Sequence, residues 1–284
     1  MSKSTGRVRI LTDSTADVPP DLAQRLNITI VPAYVQMEGQ SLRDGEHITR
    51  EQFYRRLPLL KKAPTTAVPP AHEFALAFRS LIGQADEVIA ILLAARLSAM
   101  ISIAEMGSRE VPELKIHFVD SEQLAMGIGW QVILAAEAAA RGASAEEILA
   151  MLEDIRPRIR LLAFLDTVEY LRQSGRVSWA RAMAAQLLQI KPIIEFRRGE
   201  AILVGRARTR RKAMERVLEM IPALGPLERI AVIHSCAPDL QPFYEQVQAL
   251  FPDMEIPISE VGPVVGSHIG PAALGVAVIL GRGG

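Results

Sequence analysis

Residues 87–108 constrain this chain more than any other stretch. Val88-Ile89-Ala90-Ile91-Leu92-Leu93 is an unbroken apolar run, and a short run without alternation fits a strand buried on both faces. Such strands belong to parallel sheets covered by helices. The run breaks at Ala94-Ala95-Arg96-Leu97, and Ser98 is predicted to open a helix continuing through Met100, Ile101, Ala104 and Met106. Serine is a favoured helix cap because its hydroxyl accepts from first-turn amides. The exit of a parallel strand into a helix is also where open α/β sheets bind ligands, and free amides there favour a negative group. Ser98 therefore has two readings, a plain cap or a hydroxyl that meets a carboxylate or phosphate.

Flanking segments repeat the strand and helix alternation. Residues 8–11 read as a strand that exits through Thr12-Asp13-Ser14-Thr15-Ala16-Asp17. Pro19-Pro20 starts a short helix, and residues 28–35 form a β-branched second strand. Asp13 and Asp17 have the chemistry to hold a metal or polar substrate, or to close a turn and cap the next helix. Val119-Asp120-Ser121 repeats the strand-then-Asp-Ser exit, which points to a structural device and not to two catalytic acids. Thr49-Arg50-Glu51-Gln52 and Ser144-Ala145-Glu146-Glu147 are capping-box patterns. Between them, Ala63-Pro64-Thr65-Thr66-Ala67-Val68-Pro69-Pro70 reads as a stiff, hydroxyl-rich loop before a helix near Ala71. This half, residues 1–160, is predicted to be an α/β domain with a doubly wound, mostly parallel sheet.

The pattern changes after Pro157. A strand at 161–166 leads into Val168-Glu169-Tyr170-Leu171-Arg172-Gln173-Ser174, a short helix stopped by Gly175. Residues 191–196 and 201–204 form a hairpin with Gly199 in its turn. Arg206-Ala207-Arg208-Thr209-Arg210-Arg211-Lys212 is the densest basic run, either a solvated helix start or a partner or anion surface. Strands follow at 229–234, 255–259 and 273–280, and Val264-Val265-Gly266-Ser267-His268-Ile269-Gly270-Pro271 reads as a glycine-bounded loop carrying one histidine. Residues 161–284 are thus predicted to be an α+β domain with a mixed or antiparallel sheet.

Composition narrows the function classes. Of 284 residues 49% are hydrophobic, ample for a two-domain core. Lys+Arg and Asp+Glu both number 32, and this balance argues against broad binding to nucleic acid or anionic membranes. The lone Cys236 excludes an internal disulfide framework. The polar, basic start lacks a signal-peptide core, and no apolar run reaches the roughly 18 residues of a membrane helix. A cytoplasmic protein is expected. His47, His72, His117, His234 and His268 lack metal-ligand spacing with one another or with Cys236. Gly127-Ile128-Gly129 does not make a phosphate loop, and no Gly-x-Ser-x-Gly elbow is present.

Taken together, several of these stretches resemble the DegV family of fatty-acid-binding proteins, over nearly the whole chain. The likeness rests on Thr12-Asp13-Ser14-Thr15-Ala16-Asp17, Pro64-Thr65-Thr66, Leu97-Ser98 and Val119-Asp120-Ser121. It continues through Gly175-Arg176-Val177-Ser178, Lys191-Pro192-Ile193, Arg208 with Lys212-Ala213, and Gly266-Ser267-His268-Ile269-Gly270-Pro271. Each motif is weak alone, and their order and spacing carry the signal.

The resemblance implies a long-chain fatty acid in an apolar tunnel near the junction of two domains, its carboxylate held by Thr66 and Ser98 with His268 nearby. It implies no metal, no cofactor beyond the bound lipid, and no catalytic centre of its own. The implied partner is an ATP-dependent fatty acid kinase subunit that forms the acyl phosphate, with Arg176 and Arg208 on the phosphotransfer or kinase-facing surface. The chain departs from the family pattern at Ala67, Ala94, Ala95 and Ala99, where polar residues or glycine are usual. These changes bear on head-group geometry, acyl preference and kinase docking. Two other readings stand beside this one: an enzyme on a small carboxylate or phosphate ester with His268 as base and Ser98 as nucleophile, and a lipid-binding protein without a kinase partner.

Overall fold

The computed structural model describes residues 6–182 and 190–282. Residues 1–5 of the basic start lie outside the described residues. The chain runs through β1 (Val8–Asp13), α1 (Pro20–Arg25), β2 (Thr29–Val31), β3 (Tyr34–Met37), β4 (Gln40–Arg43), α2 (Arg50–Arg56) and β5 (Thr65–Ala67). It continues with α3 (Ala71–Arg79), β6 (Glu87–Leu92), α4 (Met100–Ser108), β7 (Lys115–Asp120), α5 (Met126–Ala140) and α6 (Ala145–Ile155). Four of these strands make an all-parallel sheet in the order β2-β1-β6-β7. The apolar run of β6 lies inside that sheet, with Val88, Ile89, Ala90, Ile91 and Leu92 fully buried, as a strand covered on both faces requires. A small antiparallel sheet, β4-β3-β5, stands beside it.

The second half comprises β8 (Ile159–Phe164), α7 (Glu169–Ser174), α8 (Ser178–Ala182), β9 (Lys191–Arg197), β10 (Glu200–Ala207) and α9 (Arg210–Ala223). After these come β11 (Leu227–His234), α10 (Leu240–Leu250), β12 (Ile258–Glu260), α11 (Pro263–Ile269) and β13 (Leu274–Leu280). They form a six-stranded mixed sheet, β10-β9-β8-β13-β11-β12, in which only the β11–β12 pair is parallel. The two-residue turn of the β9–β10 hairpin places Arg198 and Gly199 at positive φ, the twist-compatible geometry for tight hairpins.

Strand alternation divides this sheet between two cores. Ile230, Val232, Val276 and Val278 face one core with Phe243, while Ala231, Ile233, Ala277 and Ile279 face the core of the first half. The indole of Trp130 on α5 donates to the Ala277 carbonyl at 3.0 Å, tying the halves together. The inner face of the second sheet therefore packs on the first half, which sets the stage for a cavity between them. Among the described residues no helix is long and apolar enough to cross a membrane.

The mixed α/β class matches the sequence reading, and four local expectations differ. The strand expected at 28–35 is split at Pro32-Ala33 into β2 and β3, which join different sheets; proline brings no amide to a ladder. The proline-punctuated loop contains β5, whose Thr66 pairs with Val35. Ser98 does not cap α4: the capping position is Ala99, without any side-chain hydrogen bond. Finally, the glycine-bounded loop is the helix α11, which Pro263 starts and Gly270 ends. Gly270 has φ +77° with extended ψ, a region open to glycine alone, and a Cβ there would meet the Tyr170 ring at 2.3 Å.

Candidate functional site

A cavity of about 520 Å³ lies between the two halves. Leu161, Ala163, Ile194, Phe196 and Ile233 wall it from the second sheet, and Val264 and Val265 from α11. Leu93, Leu97, Ser98, Ala99 and Met100 close it along the link between β6 and α4. Of its thirty lining residues only Thr66, Ser98, Ser174, Arg176, His234 and His268 carry polar side chains. A wall this apolar accepts a ligand with a long hydrocarbon body and few polar atoms.

Three of those polar groups, Thr66, His268 and Arg176, lie near one another. Thr66 Oγ1 and His268 Nε2 share a hydrogen bond of 3.1 Å, joining β5 to the end of α11. Burial pushes the His268 pKa down to about 4, and the nearby Arg176 guanidinium adds to the shift. At neutral pH the imidazole is therefore uncharged and works through hydrogen bonding. The Ser98 hydroxyl is half-buried and makes no hydrogen bond with the described residues. Arg176 follows the left-handed turn at Gly175, donates to the Ser174 carbonyl at 2.8 Å, and is exposed at the cavity edge. The structure thus brings Thr66, Ser98, His268 and Arg176 to one cavity. Arg208 stands apart, exposed between β10 and α9 and outside the lining.

The strand-end aspartates position Ser98. Asp13 accepts from the Leu93 amide at 2.9 Å and from the Thr15 amide at 2.9 Å. Asp120 accepts from the Ala95 amide at 3.2 Å and from the Glu122 amide at 2.9 Å. The recurrent Asp-Ser exit is therefore a pair of clamps, one on each strand flanking β6, that hold the backbone leading to Ser98.

A buried ionic joint seats α11. Asp17 Oδ1 accepts from the Gly262 amide at 2.8 Å and from Arg50 at 3.1 Å, while its backbone carbonyl accepts from Ser259 Oγ at 2.7 Å. Tyr54 donates to the Val261 carbonyl at 2.8 Å, and Asp44 accepts from Ser14 Oγ at 2.9 Å. Burial pushes Asp17 up to about 7 against the pull of Arg50, and Asp44 up to about 6. Asp13 and Asp17 Oδ1 make these contacts, Asp17 Oδ2 is buried without a partner among the described residues, and neither aspartate lines the cavity. No cluster of three or more metal-ligating side chains occurs among the described residues.

Sequence reasoning missed His234 as a cavity residue. It ends β11 and reads in sequence only as the last residue of an apolar strand, with no partner at a telling spacing.

Two α/β halves, an apolar cavity between them and a hydroxyl–imidazole pair on its wall define the class of fold and site. The chain belongs to the DegV family: the family model described as "Uncharacterised protein, DegV family" matches residues 7–280. A DegV domain-containing protein of Deinococcus radiodurans is 32% identical, the match covering 95% of this chain and 98% of the relative. Protein DegV of Bacillus subtilis is 30% identical over 95% of this chain and 98% of its own length. A fatty-acid-binding DegV family protein of Thermus thermophilus has a similar structure, with TM-score 0.88 and 31% identity, covering 96% of this chain and 99% of that one. The solved fatty-acid-binding DegV of Bacillus subtilis gives TM-score 0.88 at 29% identity, covering 97% of this chain and 100% of that one.

The buried groups shape stability against pH in opposite directions. Between about pH 4 and pH 7 native Asp17 keeps a proton that the unfolded chain has released, so its contribution is lost as pH rises. His268, depressed to about 4, is uncharged over a range where the unfolded chain binds a proton, so its contribution is gained as pH rises from about 4 to 6.5. Urea midpoints measured across this window should climb more steeply with pH in Asp17→Asn than in the wild type, and less steeply in His268→Gln. Parallel profiles for all three proteins would show that neither group carries a shifted pKa.

Proposed function

We propose that the chain binds one long-chain fatty acid, with the acyl chain in the cavity between residues 1–160 and 161–284 as two structural units. The carboxylate sits at Thr66, Ser98 and His268. The observation that carries this reading is a cavity lined almost wholly by hydrocarbon whose wall also holds the Thr66–His268 pair and Ser98, a hydroxyl without a hydrogen-bond partner among the described residues. Each methylene buried there contributes about 0.8 kcal/mol. The neighbouring Arg176 supplies positive charge at the cavity edge without a buried ion pair. Fatty-acid binding by the Thermus and Bacillus relatives supports the same reading.

The finer role is a carrier that acts in the cytoplasm and presents the carboxylate to a partner ATP-dependent fatty acid kinase. A carboxylate oxygen would attack the γ-phosphorus and release ADP, with Arg176 at the cavity edge and Arg208 on the surface facing the partner. Support comes from their exposure beside and beyond the cavity. The competing enzyme reading, Ser98 as nucleophile and His268 as base, lacks its first requirement, since the hydrogen bond of His268 goes to Thr66. Ala67 and Ala99 also line the cavity, so few alternative donors surround the carboxylate.

Native mass spectrometry of freshly purified protein should show one fatty acid per chain. Ser98→Ala and Thr66→Val should each weaken palmitate binding roughly ten- to hundredfold, the cost of a hydrogen bond to a charged group. Circular dichroism should stay unchanged. An apo mass with no gain on adding palmitate or oleate refutes the binding, and undiminished binding by both variants puts the carboxylate elsewhere.

Arg208→Ala should leave palmitate affinity unchanged while slowing acyl-phosphate formation with a cognate kinase. Loss of palmitate binding in that variant would instead place the arginine in the lipid site.

A further inference from the structure

His234 is the polar cavity residue that the carboxylate cluster does not explain. It lines the cavity, yet its Nδ1 is enclosed without any hydrogen-bond partner among the described residues, and the ring makes no other hydrogen bond with them. An imidazole on an apolar wall is costly unless something pairs with it. Its place in the fold is distinct from that of His268. The His234 carbonyl accepts from the Val261 amide at 2.8 Å, which fixes His234 at the start of α11, whereas His268 lies near the end of that helix. From Pro263 at the start of the helix to His268 the backbone rises by roughly 7.5 Å. The cations they feel differ as well, Arg50 for His234 and Arg176 for His268.

We infer that His234 is a second polar subsite for the acyl chain, selecting a fatty acid that bears a hydroxyl group remote from its carboxylate. This rests on the fatty-acid reading above. Along α11, from its start beside His234 to His268 near its end, the helix lines the cavity with Val264 and Val265, so the ligand must be hydrocarbon between its two polar groups. A second carboxylate does not fit, because Arg50 does not line the cavity and the neutral His234 offers no charge to meet it. A hydroxyl does fit, since it both donates and accepts and so matches either tautomer of a neutral imidazole. A ligand hydroxyl on the accessible nitrogen replaces water there, and an unsubstituted chain leaves that nitrogen facing methylenes. Sites built to bond a hydroxyl discriminate against analogues lacking it far better than apolar sites discriminate by size.

The test is a calorimetric titration of the full-length protein with stearate and a positional series of monohydroxystearates. At least one isomer with its hydroxyl distant from the carboxylate should bind wild type about tenfold tighter than stearate does. His234→Leu should bind stearate at least as tightly as wild type and lose that preference. His234→Gln, which keeps a donor and an acceptor, should retain part of it. Wild type that binds stearate yet favours no hydroxylated isomer overturns the inference without any variant, as does a preference that survives in His234→Leu. Wild type that binds neither stearate nor any isomer overturns the fatty-acid reading itself, and this inference with it.

Discussion

The cavity depends on one buried joint, Asp17 against the Gly262 amide with Arg50 alongside. Asp17 closes the exit of the first strand, and Gly262 opens the helix that carries His268, so a single carboxylate connects the two ends of the chain. Around it, Arg50 serves a site shared with Asp44 and Glu260, and burial raises the pKa of all three carboxyl groups. Such a cluster is a poor source of net stability compared with hydrocarbon of similar volume, and its partners are hard to replace singly. What it supplies is position. A Cβ on Gly262 would meet Asp17 Oδ1 at 2.9 Å and Asp44 Oδ2 at 3.2 Å, so the backbone of α11 is drawn as close to the first half as glycine permits.

The rest of the site follows from that placement. Gly266 lets α11 rest on the rings of Phe53 and Tyr54, where any side chain would collide within 3 Å. His268 then reaches the edge strand β5 and finds Thr66. From the other direction, Asp13 and Asp120 grip the backbone after β6 and deliver Ser98 to the same cavity. The apolar wall is a consequence of strand alternation in the second sheet, whose inward residues Leu161, Ala163, Ile194 and Ile233 meet α7 and α11 of their own half and the β6–α4 link of the first around the cavity. Site and fold are thus set by the same few contacts between halves.

Much of this was legible in the chain, and the failures have local physical causes. The run at 88–93 announced a buried parallel strand, and the two capping boxes at Thr49 and Ser144 formed as written. The change after Pro157 from parallel to mostly antiparallel pairing was visible in the hairpin around Gly199. The Thr66, Ser98 and His268 set came from family likeness, because three residues spread over two hundred positions share no spacing rule; the structure brings them to one cavity. Misreadings arose where tertiary contacts outweighed local signals. Ser98 looks like a cap, but the clamped backbone before α4 leaves Ala99 in that role. The glycines of 264–271 suggest a loop, yet they serve close packing and helix termination. His234 carried no sequence signal at all, since its meaning comes from the cavity it faces.

The proposed fatty acid lies between the halves with its carboxylate at Thr66 and Ser98. A crystal structure of the complex with a terminally brominated fatty acid tests this most directly. An anomalous bromine peak is expected inside the apolar cavity, with carboxylate oxygens within hydrogen-bond distance of Thr66 Oγ1 and Ser98 Oγ. A bromine peak at the Thr66–His268 pair, or density for the chain outside the cavity, would contradict it.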